Sequence, residues 1–264
     1  MRALAALVAI SVAQPAAAQD RRPGGDPAPE LADWHPYVFS ADGDLLRARG
    51  AAVESGVGYN GVPASGRGLA PDDARSASGW LAGAVGVGRG LELDGAFLYA
   101  GDPGNGYRFD QARLGARVEL LRPRARLPIA IALGGGYQAD ALADHAAIAT
   151  LDASCVLGRL NLTVNVRAAH YFAAGRDPID LFVTAGAMVR TTRWLRLGLE
   201  YVGEELEALV ADDGDHAPAG RHYVGPTAAL FFADGHLRLN ATGGAVVTPG
   251  QLGPLVRGAL AWVY

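Results

Sequence analysis

The sequence predicts an all-β protein: a transmembrane antiparallel up-and-down β-barrel of about 12 strands, with short periplasmic turns and long extracellular loops. Three features carry that expectation. Segments of roughly ten residues alternate apolar and polar side chains, which suits strands of about 9–11 residues crossing a bilayer. The connectors between them alternate in length. The chain also opens on an export signal, Met1-Arg2 followed by an apolar stretch and Ala16-Ala17-Ala18, with cleavage expected after Ala18.

Residues 1–18 are thus read as a signal peptide, 19–48 as a flexible periplasmic leader rich in Pro, Gly and Asp, and 49–264 as the barrel. Beyond the signal no apolar run approaches about 18 residues, so any membrane crossing must be made by strands. The alternation is clear at Leu160-Asn161-Leu162-Thr163-Val164-Asn165-Val166-Arg167 and again at Gln111 to Val118 and Leu237 to Thr242. Short links are expected at Arg89-Gly90, Arg122 to Arg126, Leu157 to Arg159, Thr191 to Arg193 and Ala233 to His236. Longer ones are expected at Asn60 to Ser76, Ala100 to Gly106, Ala139 to Ala146, Ala173 to Ile179, Leu206 to Gly220 and Val247 to Gly253. That pattern puts both termini on the short-turn, periplasmic side. Pro226, inside the tenth segment, calls for a bulge or a later strand start, because a closed barrel has no free edge for a missing N–H.

Aromatic residues decide which face meets lipid. Tyr59, Tyr99, Tyr137, Phe172 and Tyr201 fall on the apolar phase at the long-loop end, and Phe232, Trp262 and Tyr264 on the same phase at the short-turn end, as two interfacial girdles. The opposite phase carries Glu54, Glu92, Asp94, Glu119, Asp152, Asp180 and Glu200 together with Arg113, Arg117, Arg167, Arg190, Arg196, Arg238 and Arg257. In a soluble barrel these charges would sit in the core at high cost. In a membrane barrel they line the lumen.

The last ten residues, Leu255 to Tyr264, resemble the C-terminal strand of Gram-negative outer-membrane β-barrel proteins, with a polar Arg257, a third-last Trp262 and a terminal Tyr264; Ala259 stands where the pattern prefers Gly. The resemblance implies insertion by the barrel-assembly machinery through these residues, and outer-membrane lipid and lipopolysaccharide as surroundings. It implies no substrate.

The chemistry of the rest is sparse. A net charge of -4 leaves no basic excess for nucleic acid, and all 23 basic residues are Arg. A lone Cys155 forms no internal disulfide and has no neighbour that would activate it. Gly86-Val87-Gly88-Arg89-Gly90 reads as a tight turn, since the helix and Lys-Ser/Thr of a phosphate loop are missing. Six dispersed histidines give no metal-ligand spacing, and Asp212-Asp213-Gly214-Asp215-His216 lacks the closing carboxylate of a calcium loop. Ser154 and His170, the nearest nucleophile and base, fall on opposite phases of the wall. No cofactor, metal or catalytic residue is therefore expected. The expected function is a narrow, weakly selective passive pore for small solutes, with a closed-lumen structural barrel or a surface-loop interaction protein as the alternative. A lipid-modifying enzyme and a soluble exported barrel fit less well.

Overall fold

A computed structural model describes residues 40–61, 76–102, 106–123, 127–140, 145–172, 179–204, 206, 220–248 and 251–264, apart from 42, 44 and 47. The expected signal peptide and the leader up to residue 39 lie outside the described residues. No described helix is long and apolar enough to cross a membrane. Twelve antiparallel strands follow one another around a closed barrel: β1 (Ala51–Asn60), β2 (Ser76–Gly88), β3 (Leu91–Asp102), β4 (Gly106–Leu121), β5 (Ile129–Asp140), β6 (His145–Leu157), β7 (Leu160–Tyr171), β8 (Ile179–Arg190), β9 (Leu195–Glu204), β10 (Arg221–Phe232), β11 (Leu237–Thr248) and β12 (Gln251–Val263). Each pairs with its sequence neighbours, and β12 closes on β1 from Ala52↔Val263 to Asn60↔Leu255. At the seam the Tyr264 N–H donates to the Ala51 carbonyl at 2.7 Å.

The two-residue alternation sets which side chains face out. On β1, Val53, Val57 and Tyr59 are exposed, while Ala52 and Asn60 are buried. The same phase continues through Leu114 on β4, Leu199 on β9 and Val256 on β12, so the outward surface is an apolar belt. Such a belt spans hydrocarbon; water would penalise it.

Strand ends differ from the expected boundaries, because several strands run further than their alternation showed. On the expected long-loop side only residues 103–105, 141–144 and 249–250 separate three of the strand pairs, whereas residues 122–128 make a periplasmic link longer than these. Loop length thus distinguishes the two ends only through 61–75 and 205–220, since 172–178 is no longer than 122–128. The Arg89-Gly90 turn has left-handed backbone at both residues, φ 56° and 72°, the conformation that matches a tight hairpin to strand twist.

Pro226 needs neither the expected bulge nor a late start. Strand β10 passes straight through it, paired to β9 at Pro226↔Leu199. On the β11 side the pairs run Val224↔Ala245 and then Thr227↔Thr242, leaving Gly225 and Pro226 out of the ladder. The gap is covered by a side chain: the Thr242 hydroxyl donates to the Pro226 carbonyl at 3.0 Å. Glycine makes the close approach possible, since a Cβ on Gly244 would lie 2.2 Å from the Val224 carbonyl oxygen and 2.5 Å from Gly225 Cα.

A methyl group at residue 244 should therefore destabilise the folded barrel by about 1–3 kcal/mol through overpacking. At Gly243 the nearest atom to an added Cβ is 3.6 Å away, and Gly243→Ala should cost less than about 0.5 kcal/mol. Urea unfolding of both variants in detergent, followed by tryptophan fluorescence, checks the difference.

Candidate functional site: the barrel interior

The inward phase of the twelve strands forms a wall of uneven depth. On β9 to β12 it is largely buried and partly apolar: Val202, Tyr223, Val246 and Leu255 pack together, and Ala229 and Phe231 form a second cluster with Met188 of β8. There the inner wall carries apolar side chains among the expected charges. On β1 to β4 the inward residues Glu54, Gly56, Gly58, Trp80, Ala82, Asp94 and Arg113 remain partly accessible.

Charges on this wall pair between strands rather than across the interior. Glu92 and Arg117 are register partners on β3 and β4 and form an ion pair, with Glu92 fully buried. Arg117 also reaches Asp152 on β6 at 3.2 Å, passing over Gly134 of the intervening β5. A Cβ on Gly134 would stand 3.0 Å from the Arg117 side chain and 2.2 Å from the Thr150 hydroxyl. Arg238 on β11 reaches Glu54 on β1 at 2.8 Å along a row whose middle member, on β12, is Ala261. A small residue between the partners is what lets each long side chain lie along the wall.

The same device recurs on β1. The Trp80 ring lies over Gly56, where a Cβ would fall within 2.0 Å of it, and its indole N–H donates to Glu54 at 3.0 Å. Arg257 crosses Gly58 and places its guanidinium 5.2 Å from the Trp80 ring centroid. Two further arginines lie over aromatic faces, Arg167 over Phe182 and Arg196 over Phe231. Arg113 is 3.8 Å from Asp94. Glu119 pairs with exposed Arg122 at the periplasmic rim. Asp180 faces Ala169 across β7–β8, and Arg190 faces Arg196 across β8–β9.

The greatest difference from expectation is at the N-terminus. Residues 40–48 were expected to belong to a flexible periplasmic leader, but Ser40, Ala41, Gly43, Leu45 and Leu46 run through the periplasmic half of the lumen as a strap. The Ser40 N–H donates to Glu200 on β9 at 3.3 Å, that of Ala41 to Asn165 on β7 at 2.8 Å, that of Gly43 to Ser154 on β6 at 3.2 Å, and that of Leu46 to Glu92 on β3 at 2.8 Å. A Cβ on Gly43 would approach the Ala130 carbonyl oxygen to 2.7 Å, so only glycine passes there. Leu46 packs with Ala52, Ala84 and Val263 at the foot of β1, β2 and β12. Thr163, which donates to the strap, and Thr184, which holds Asn165, were not singled out in the sequence, and Ser154 was weighed there only as a nucleophile. They are small, neutral and in the polar phase, with nothing local to mark them.

Arg221 and Glu204 form a further buried pair at 3.0 Å at the opposite end of the barrel. Ser154 and His170 sit on opposite faces, the first buried inside and the second exposed outside. The expected outer girdle faces outward at Tyr59, Tyr99, Tyr137, Phe172 and Tyr201, and Trp262 and Tyr264 do so at the other end. Four histidines join these rings: His145 stacks on Tyr137, His222 on Tyr201 and His236 on Trp262, while His170 meets Phe172 edge-on.

No known protein family matches the chain, and no curated protein is similar to it in sequence. Its structure is similar to those of known channels. The COG4313 outer membrane channel from Pseudomonas putida F1 aligns with TM-score 0.59 at 13% identity, over 86% of this chain and 100% of that one. The KdgM porin in complex with disordered oligogalacturonate aligns with TM-score 0.55 at 8% identity, over 80% and 98%. The NanC porin gives TM-score 0.55 at 7%, also over 80% and 98%. The fold is that of outer-membrane channel barrels. At these identities the likeness is one of fold.

Arg117 holds two buried carboxylates, so Arg117→Met should cost about 3–5 kcal/mol, the usual penalty for breaking a buried pair from one side. A variant that also carries Glu92→Leu and Asp152→Asn should recover most of that loss. Urea unfolding of the two variants side by side measures it.

Proposed function

We propose that the protein is an integral outer-membrane barrel acting as a narrow, weakly selective passive pore for small solutes, with its water path along the inner faces of β1 to β4. One observation carries this reading: Trp80 and Arg257 are laid flat on Gly56 and Gly58, which withdraws two of the largest lumen side chains from the barrel axis. Around them Glu54, Ala82, Asp94 and Arg113 stay partly accessible. Twelve strands enclose a bore between the side-chain-filled eight-stranded barrels and the wide channels of sixteen or more. The strap bounds the periplasmic end of the path at Leu46 and Glu92 and makes it narrower still.

Weak selectivity rests on charge balance. The lumen acids are matched by arginines, and the pairs Arg117–Glu92, Arg117–Asp152, Arg238–Glu54 and Arg221–Glu204 leave little net field along the path. The proposed surroundings are outer-membrane lipid and lipopolysaccharide, with the assembly machinery engaging Arg257, Ala259, Trp262 and Tyr264 during insertion. Trp262 and Tyr264 face outward, where such a partner would meet them, while Arg257 and Ala259 face inward. The filled β9–β12 side favours the second reading, a closed-lumen structural barrel. An enzymatic role has no support from Ser154 and His170, which the wall separates.

Single-channel recording in planar bilayers tests the pore. The full chain should give small ohmic steps with a reversal potential near zero in a KCl gradient. Gly56→Leu, which forces the Trp80 ring off the wall, should lower the unit conductance at least about twofold. Silent bilayers at high protein density would contradict the pore and leave the closed barrel.

A further inference from the structure

The strap's contacts have a common character that neither a pore nor a structural barrel requires: the wall recognises its main chain. Four backbone N–H groups, of Ser40, Ala41, Gly43 and Leu46, are each met by a side-chain oxygen of a different strand. At Ala41 both backbone groups are taken by one residue. Its N–H donates to Asn165 Oδ1 at 2.8 Å, and its carbonyl accepts from Asn165 Nδ2 at 2.8 Å and from the Thr163 hydroxyl at 2.6 Å. The Asn165 amide thereby pairs with Ala41 as one extended residue pairs with another across a ladder. The strap's own hydroxyl is idle: Ser40 Oγ is buried with no hydrogen-bond partner among the described residues.

The receiving groups are held by the barrel itself. Asn165 Nδ2 also donates to Asp152 at 2.9 Å, and its Oδ1 accepts from Thr184 at 2.8 Å. Glu92 and Asp152 are both fixed by Arg117. Preorganised acceptors lose little freedom when a ligand arrives.

We propose that the periplasmic half of the lumen is a binding site for an extended peptide main chain, which residues 40–46 occupy in cis, and that the site accepts a peptide in trans once the strap is removed. It deepens the pore reading, since an occupant there narrows the path. The apolar seat of Leu46 at the foot of β1 anchors the strap next to the barrel, and so short a tether holds the occupant at an effective concentration of the order of millimolar. A free peptide therefore competes poorly with the intact chain and binds well to a barrel without it.

The test uses a variant lacking residues 1–48, refolded into detergent and checked for heat-modifiable migration, with a fluorescent synthetic peptide of residues 36–48 as probe. Anisotropy should show saturable binding to this barrel and at least tenfold weaker binding to the full chain. Asn165→Ala in the shortened barrel, or N-methylation of the probe at Ala41, should each weaken binding at least tenfold, while Ser40→Ala in the probe, whose hydroxyl has no partner among the described residues, should not. If the shortened chain does not fold, a protease site inserted at exposed Ala48-Arg49 lets the strap be cut in the folded protein and exchanged for the probe. Equal binding to both forms, no binding to either, or indifference to the N-methyl group would overturn the proposal. Conductance of the shortened barrel, recorded in parallel, separates the two readings: binding with silent bilayers contradicts the pore alone, and conductance without binding contradicts the peptide site alone.

Discussion

Hydrocarbon leaves no backbone polar group unpaired, and the rest of this structure follows from that demand. It requires the first and last strands to close on each other, as β1 and β12 do from Ala52↔Val263 to Asn60↔Leu255. Closure then sorts every side chain to one of two surfaces. Apolar residues meet lipid, and the charges have nowhere to go except inward. The demand is strict enough that Pro226, which cannot donate, is accommodated by a side-chain hydroxyl and by glycines that let β10 and β11 approach.

Bringing charges inward creates a second problem, because a buried charge is tolerated only when it is paired and hydrogen-bonded. Adjacent strands supply some partners directly, as with Glu92 and Arg117. Others are two strands away, and there a small residue in the middle row makes the contact possible. Gly134 under Arg117 and Ala261 under Arg238 serve pairing; Gly56 under Trp80 and Gly58 under Arg257 serve clearance. The high glycine content, 36 residues, is therefore more than turn chemistry. It determines how close to the wall the largest side chains lie.

What was legible in the sequence is what a two-residue period encodes. The twelve strands, the phase of each charged residue and the outward girdle from Tyr59 to Tyr201 all follow from alternation, which the membrane enforces locally. Loop lengths were legible only in part, because alternation fades where strands emerge from the bilayer, as before Gln251 and after Asp140. The partners of each charge were not legible: Arg117 with Asp152, or Arg238 with Glu54, depends on register between strands far apart in the chain. The strap was hidden for a further reason. Its contacts are made by backbone groups, which every residue carries, so nothing distinguished Ser40 to Leu46 from an ordinary polar leader. The one local hint is the Leu45-Leu46 pair beside Asp and Gly.

The central claim is that this barrel carries its own N-terminal segment inside the lumen, hydrogen-bonded to the wall. Hydrogen–deuterium exchange of the full chain in detergent, resolved by residue, reads those bonds directly. The amides of Ala41, Gly43 and Leu46 should exchange as slowly as those of the strands that receive them, β7, β6 and β3. Exchange of these three at the rate of an unstructured peptide, with the strands protected, would contradict the account.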